Sequence, residues 1–70
     1  MPASELRTRI LNDALRARKG EAFEKALGRA VRHHGGSYAE YVAIIAEVRE
    51  YARSHEIDLR EAARAISRQL

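Results

Sequence analysis

The residues best suited to chemistry lie together in the stretch RHHGGS, residues 32–37. Imidazole nitrogens bind transition metals, and glycine-rich turns can bind a phosphate through backbone N–H groups. Neighbouring residues on a helix point about 100° apart, whereas paired metal-binding histidines on a helix lie four residues apart. No strand pattern precedes Gly35 and Gly36, and no Lys-Ser/Thr pair follows them, as a phosphate-binding loop requires. We therefore predict neither a metal site nor a phosphate loop at His33 and His34.

The same stretch instead has the pattern of one helix ending and the next beginning. Histidine in the last turn of a helix complements the negative end of the helix dipole. Gly35 or Gly36 can adopt the left-handed conformation that ends many helices. Ser37 and Glu40 have the S-x-x-E spacing of a capping box, in which each side chain bonds the backbone N–H of the other residue. The stretch therefore predicts a tight turn between two helices.

Composition argues against an enzyme. The chain has 70 residues and no cysteine, so we expect one domain, residues 1–70, without disulfides or thiolate metal sites. Serines such as Ser4 and Ser37 occupy predicted caps, and the paired carboxylates Glu47 and Glu50 read as helix-surface residues. A chain of this size also leaves little room for a pocket. We predict a protein that is not an enzyme and needs no cofactor.

The sequence carries no sign of a membrane or export segment. No apolar run approaches the roughly 20 residues needed to cross a bilayer. The first ten residues, MPASELRTRI, lack the apolar core of a signal peptide. We expect a cytoplasmic protein without membrane contact.

Helix-forming residues dominate the chain, and we predict an all-α fold, a small bundle of three to four short helices. Ser4 is a candidate N-cap for the first helix, whose apolar face includes Leu6 and Ile10. If that helix ran straight through Gly20, the apolar face of the next segment would point nearly opposite to the first. A break at Gly20 lets the two faces meet, which predicts a helical hairpin over residues 4–34.

Two further helices are predicted, residues 37–54 and 58–70. Their apolar positions would also fit one continuous helix of about 50 Å, because no glycine or proline separates them. We favour a break, because Ile57 would otherwise face solvent among glutamates. Asp58 and Glu61 also have the spacing of a second capping box.

The helix over residues 37–54 carries the most apolar surface. We predict a small non-catalytic interaction or regulatory module, a homodimer formed through this helix. Tyrosine suits an interface because it is apolar with a polar tip. The alternative is that the three tyrosines lie at the rim of the core. The predicted interface residues are Tyr38, Tyr41, Ile44, Ile45, Val48 and Tyr51.

Nucleic-acid binding is the second hypothesis. The formal net charge is +3, and residues 1–35 hold eight basic side chains against four acidic ones. Basic ridges at helical spacing can follow phosphates, although such ridges are also typical of solvated helix faces. No aromatic residue lies within these ridges to stack on bases. The candidate phosphate-binding residues are Arg9, Arg16, Lys19, Lys25, Arg29, Arg32, Arg60, Arg64 and Arg68.

Residues 58–67, DLREAARAIS, resemble the first helix of a helix-turn-helix, in which a leucine and an alanine pair pack against the recognition helix. The glycine turn and recognition helix of that family do not follow in this sequence. The resemblance covers about ten residues, and we transfer no DNA-binding function from it.

Overall fold

The computed structural model describes residues 3–16 and 20–69, and in those residues the only regular elements are helices. The all-α prediction is therefore confirmed. The elements in chain order are α1 (Ala3–Ala14), α2 (Phe23–His33), α3 (Tyr38–His55) and α4 (Leu59–Gln69). Their principal contacts join α1 to α2, α2 to α3, α3 to α4 and α4 to α1, so the helices form a ring around one core.

The first helix ends earlier than the sequence pattern predicted. Within the described residues α1 ends at Ala14. The N–H of Arg16 donates to the carbonyl of Asp13, three residues back, at 3.0 Å, which is the tighter 3₁₀ pattern. Gly20 has a φ of +85°, a conformation that glycine adopts without steric cost. The predicted break between the two helices of the hairpin is confirmed.

The turn between α2 and α3 has the geometry that the glycines and the capping box predict. Gly35 has a φ of +74°. The N–H of Gly36 donates to the carbonyl of Val31 at 2.8 Å, and the N–H of Gly35 donates to that of Arg32 at 3.1 Å. This pair of bonds is a Schellman motif. Ser37 then caps α3 in a complete capping box with Glu40.

The chain also leaves helical geometry between α3 and α4, as predicted. Glu56 adopts the left-handed conformation with a φ of 55°, and the N–H of Ile57 donates to the carbonyl of Ala52 at 3.0 Å. The carboxylate of Asp58 accepts a bond from the N–H of Glu61 at 2.8 Å at the start of α4. Ile57 packs against the core, which is the contact that favoured a break over one continuous helix.

One apolar core joins all four helices. Ile10 of α1, Leu27 of α2 and Val48 of α3 are fully buried, and Ala63 and Ile66 bring α4 into the same cluster. Each apolar stripe that repeats at helical spacing therefore faces inward, where burial of aliphatic side chains stabilises the fold. The polar residues between the stripes are left on the surface.

Candidate functional site

The structure divides the six predicted interface residues into two groups. Ile44, Ile45 and Val48 are buried in the core of the chain itself, with exposed fractions of 5%, 5% and 0%. The apolar stripe of α3 is covered by the other helices, because all four stripes meet in one ring. These three side chains therefore contact the chain's own helices and are not available to a partner in this fold. The centre of α3 therefore has no exposed apolar surface through which the expected dimer could form.

The tyrosines lie at the edge of the core. Tyr38 is 79% exposed, and its ring stacks on that of Tyr41 with centroids 6.0 Å apart and planes inclined by 22°. Tyr41 and Tyr51 are half-buried and pack against the core. Val42, one turn after Tyr38, is 44% exposed. The start of α3 therefore keeps an exposed apolar patch that the middle of the helix does not have.

A groove of about 500 Å³ opens beside this patch, between α2 and the start of α3. Two glycines, Gly28 and Gly36, line the groove, and the absence of side chains at these positions leaves the space open. An added Cβ at Gly28 would lie 3.8 Å from Cε1 of Tyr41. The remaining lining residues are Glu24, Lys25, Val31, Arg32, Ser37, Tyr38 and Tyr41.

The groove is positively charged. Lys25 and Arg32 are exposed, and neither side chain has a hydrogen bond or ion pair with any part of the chain that the structure describes. The carboxylate of Glu24, which also lines the groove, lies 3.5 Å from the guanidinium of Arg49. Within the described residues, the groove therefore presents two cations without a partner next to an exposed aromatic ring.

Of the other predicted phosphate-binding residues, some are already paired within the chain and others line different pockets. Arg29 is paired with the carboxylate of Glu21 at 3.1 Å, and Arg60 donates to the backbone carbonyl of the same residue. Arg64 and Arg68 line a separate pocket on α4. Lys19 lies outside the described residues. The N-terminal ridge predicted from the sequence is thus divided, with one of its arginines neutralised.

A second cavity, of about 310 Å³, lies between the end of α1 and the end of α2. Arg9, Asn12 and Arg16 line it on the α1 side. The two histidines line the opposite side, where Nε2 of His34 lies 3.2 Å from Oδ2 of Asp13 and the two imidazole rings form an edge-to-face pair with centroids 5.1 Å apart. Charged groups of both signs therefore meet in one cavity.

This convergence was not predicted from the sequence, because neighbouring positions on a helix diverge by about 100°. His33 is the last residue of α2, whereas His34 has left the helix, with φ −93° and ψ 12°. The two backbone positions still diverge much as on a helix, but rotation about the side-chain bonds brings both imidazole rings to the same cavity, with centroids 5.1 Å apart. Asp13 comes from α1, so only the predicted hairpin, in which the end of α1 meets the end of α2, could have pointed to the cluster.

Comparisons with protein-family models, with curated proteins and with solved structures find no match to this chain. None of the helices in the described residues has the length and apolar character needed to cross a bilayer. Function is therefore inferred from the chemistry of the two cavities.

Proposed function

We propose that the chain is a small non-catalytic interaction module whose binding surface is the groove between α2 and the start of α3. The observation that supports this proposal is the exposed Tyr38 ring, stacked on Tyr41 beside Lys25 and Arg32, two cations that have no partner among the described residues. Tyrosine and arginine are enriched at protein interfaces, where an aromatic ring supplies apolar area and an arginine supplies directed hydrogen bonds.

The partner that fits this groove is an acidic protein segment carrying apolar side chains. A volume of about 500 Å³ lies in the range of small binding pockets, so it admits one or two apolar side chains. Carboxylates on the partner would pair with Lys25 and Arg32, which have no acid of their own in the described residues. Charge pairs at the rim mainly speed and orient association, whereas the buried ring contacts hold the complex.

A single nucleic-acid strand is the second candidate, and the exposed tyrosine stack is the observation in its favour. Base stacking on an aromatic side chain contributes about 1–3 kcal/mol per base. Strong electrostatic binding, however, needs several phosphate contacts along one surface. Arg29 is paired with Glu21, so the groove offers two cations, Lys25 and Arg32, for phosphate contacts. This division of charge favours the acidic protein segment.

Self-association through apolar side chains would use the exposed start of α3. Tyr38 and Val42 are the large apolar side chains left exposed in the described residues. Two side chains make a small patch compared with the roughly 800 Å² per partner of a standard interface. We therefore expect the chain to be mainly monomeric, in contrast to the homodimer expected from the sequence.

Binding to three labelled probes tests the proposal. The first is an acidic amphipathic peptide of glutamate, leucine and alanine, about 14 residues long, which spans about 21 Å as a helix. The second has lysine in place of each glutamate, and the third is an oligo(dT) strand of similar length. We expect fluorescence anisotropy to show binding of the acidic peptide alone. Tyr38→Ala should weaken that binding about tenfold, or ~1.4 kcal/mol, because the ring is the central apolar contact.

Charge variants provide the control. Lys25→Gln with Arg32→Gln should weaken binding of the acidic peptide and reduce its dependence on salt, because screened charge pairs are lost. Arg64→Gln with Arg68→Gln removes the same charge from α4 and should leave binding unchanged. Preferential binding of oligo(dT) would instead identify the groove as a nucleic-acid binding site. Failure of all three probes to bind would contradict the proposal.

A further inference from the structure

We infer that Asp13, His33 and His34 form a binding site for a divalent transition-metal ion. Each residue offers one ligand atom, and these three atoms all lie within 4.8 Å of one another. The site is in the second cavity and is separate from the groove on the α3 side of α2. The inference does not depend on the proposed interaction function.

One ligand pair already has the separation that a shared metal ion requires. Zinc binds histidine nitrogen and carboxylate oxygen at about 2.0–2.2 Å, which places two ligands of a tetrahedral ion about 3.3 Å apart. Nε2 of His34 and Oδ2 of Asp13 are 3.2 Å apart, close to that separation. His33 is exposed, so its imidazole can rotate to complete the set without disturbing the core.

The backbone holds two of the ligands in place. His34 follows the last turn of α2, and its N–H donates to the carbonyl of Ala30 at 3.0 Å. The left-handed Gly35 then reverses the chain in the Schellman motif. Asp13 lies in the last turn of α1, which packs against α2. The donors are therefore presented by two packed helices and a fixed turn, which lowers the ordering cost of binding.

The donor set selects the class of metal. Two imidazoles and one carboxylate suit zinc, nickel and copper, whereas magnesium and calcium prefer a shell of oxygen ligands. Three protein ligands leave at least one coordination position for water or an anion. Arg9 and Arg16 line the same cavity and oppose a cation, so we expect the open position to take an anionic co-ligand. A bound ion would tie the end of α1 to the end of α2.

Zinc titration of the tag-free, metal-stripped chain tests the inference. We expect calorimetry to show one zinc ion per chain and the melting temperature to rise with zinc, because a ligand that binds only the folded state stabilises it. His33→Gln should weaken zinc binding by more than the roughly 10- to 100-fold that loss of an outer-sphere partner costs. His33 is exposed and makes no hydrogen bond to the described residues, so this variant should fold as the parent does.

His55→Gln is the matched control, because His55 is also exposed but lies at the end of α3. It should bind zinc as the parent chain does. Acidification should release the metal from the parent chain, because protons compete for the imidazole nitrogens. Asp13→Asn should weaken binding as His33→Gln does.

Three results would overturn the inference. The first is the absence of saturable zinc binding in the parent chain. The second is equal zinc affinity in the parent and His33→Gln. The third is a melting temperature that does not respond to zinc but rises with inorganic phosphate, and no longer does so in Arg9→Gln with Arg16→Gln, which would make the cavity an anion site without a metal.

Discussion

Gly28→Ala should stabilise the protein while it weakens binding in the groove. Gly28 lies in the middle of α2, where glycine costs about 1 kcal/mol relative to alanine. The new Cβ would lie 3.8 Å from Cε1 of Tyr41, an ordinary van der Waals contact, so no steric cost offsets the gain. We therefore expect the free energy of unfolding to rise by about 1 kcal/mol, or the melting temperature by ~4–8 °C for a domain of this size.

Urea denaturation followed by circular dichroism measures this change. The midpoint should move to higher urea at an unchanged slope, because the surface exposed on unfolding is nearly the same. Gly36→Ala is the matched control on the other wall of the groove. There the added Cβ would lie 2.9 Å from Cγ1 of Val31 and 3.2 Å from its carbonyl oxygen, so this variant should be destabilised.

The groove adds a second readout to Gly28→Ala. The methyl group occupies space that the proposed acidic segment would use, so affinity for the acidic peptide should fall although the fold is more stable. A variant that loses affinity through misfolding would show the opposite change in stability. Unchanged or reduced stability of Gly28→Ala would refute the reasoning, because it would mean that α2 and Tyr41 lie closer together than described.

Three further changes and one control variant test the fold. Glu56→Gly should raise the free energy of unfolding measured in urea by about 0.5–1 kcal/mol, because glycine adopts the left-handed conformation that Glu56 holds at steric cost. A loss of stability would show that the Glu56 side chain stabilises the turn. Ser37→Ala should lower it by about 1 kcal/mol through loss of the α3 cap, whereas Ser54→Ala near the other end of α3 should change little. Val48→Asp should abolish the helical circular-dichroism signal, because the residue is fully buried. If the Val48→Asp chain instead stays folded and has half the sedimentation mass of the parent, the parent chain is a dimer formed through the centre of α3.

Local sequence signals predicted most of the fold. Glycine at a helix end and a serine three residues before a glutamate each encode a backbone hydrogen-bond pattern, and Gly35 and Ser37 adopt those patterns. Ile57 would face solvent on one continuous helix, and this correctly indicated the break between α3 and α4. These features depend on a few neighbouring residues, so one sequence is enough to identify them.

The binding surfaces could not be read in the same way, because they depend on how the helices pack. The apolar face of α3 was predicted to form a dimer interface. The ring of four helices instead covers Val48 and leaves Tyr38 exposed. No aromatic residue was found within the basic ridges along the chain. Packing of α2 against α3 nevertheless brings Lys25 and Arg32 beside the stacked tyrosines.

Backbone-amide chemical-shift mapping of the ¹⁵N-labelled chain with the acidic peptide tests the proposed binding surface most directly. If the groove is that surface, the largest shifts fall on Gly28, Arg32, Gly36 and Tyr38, while the amides of α4 stay in place. Shifts concentrated on α4, or no shifts at peptide concentrations that saturate the anisotropy signal, would contradict it.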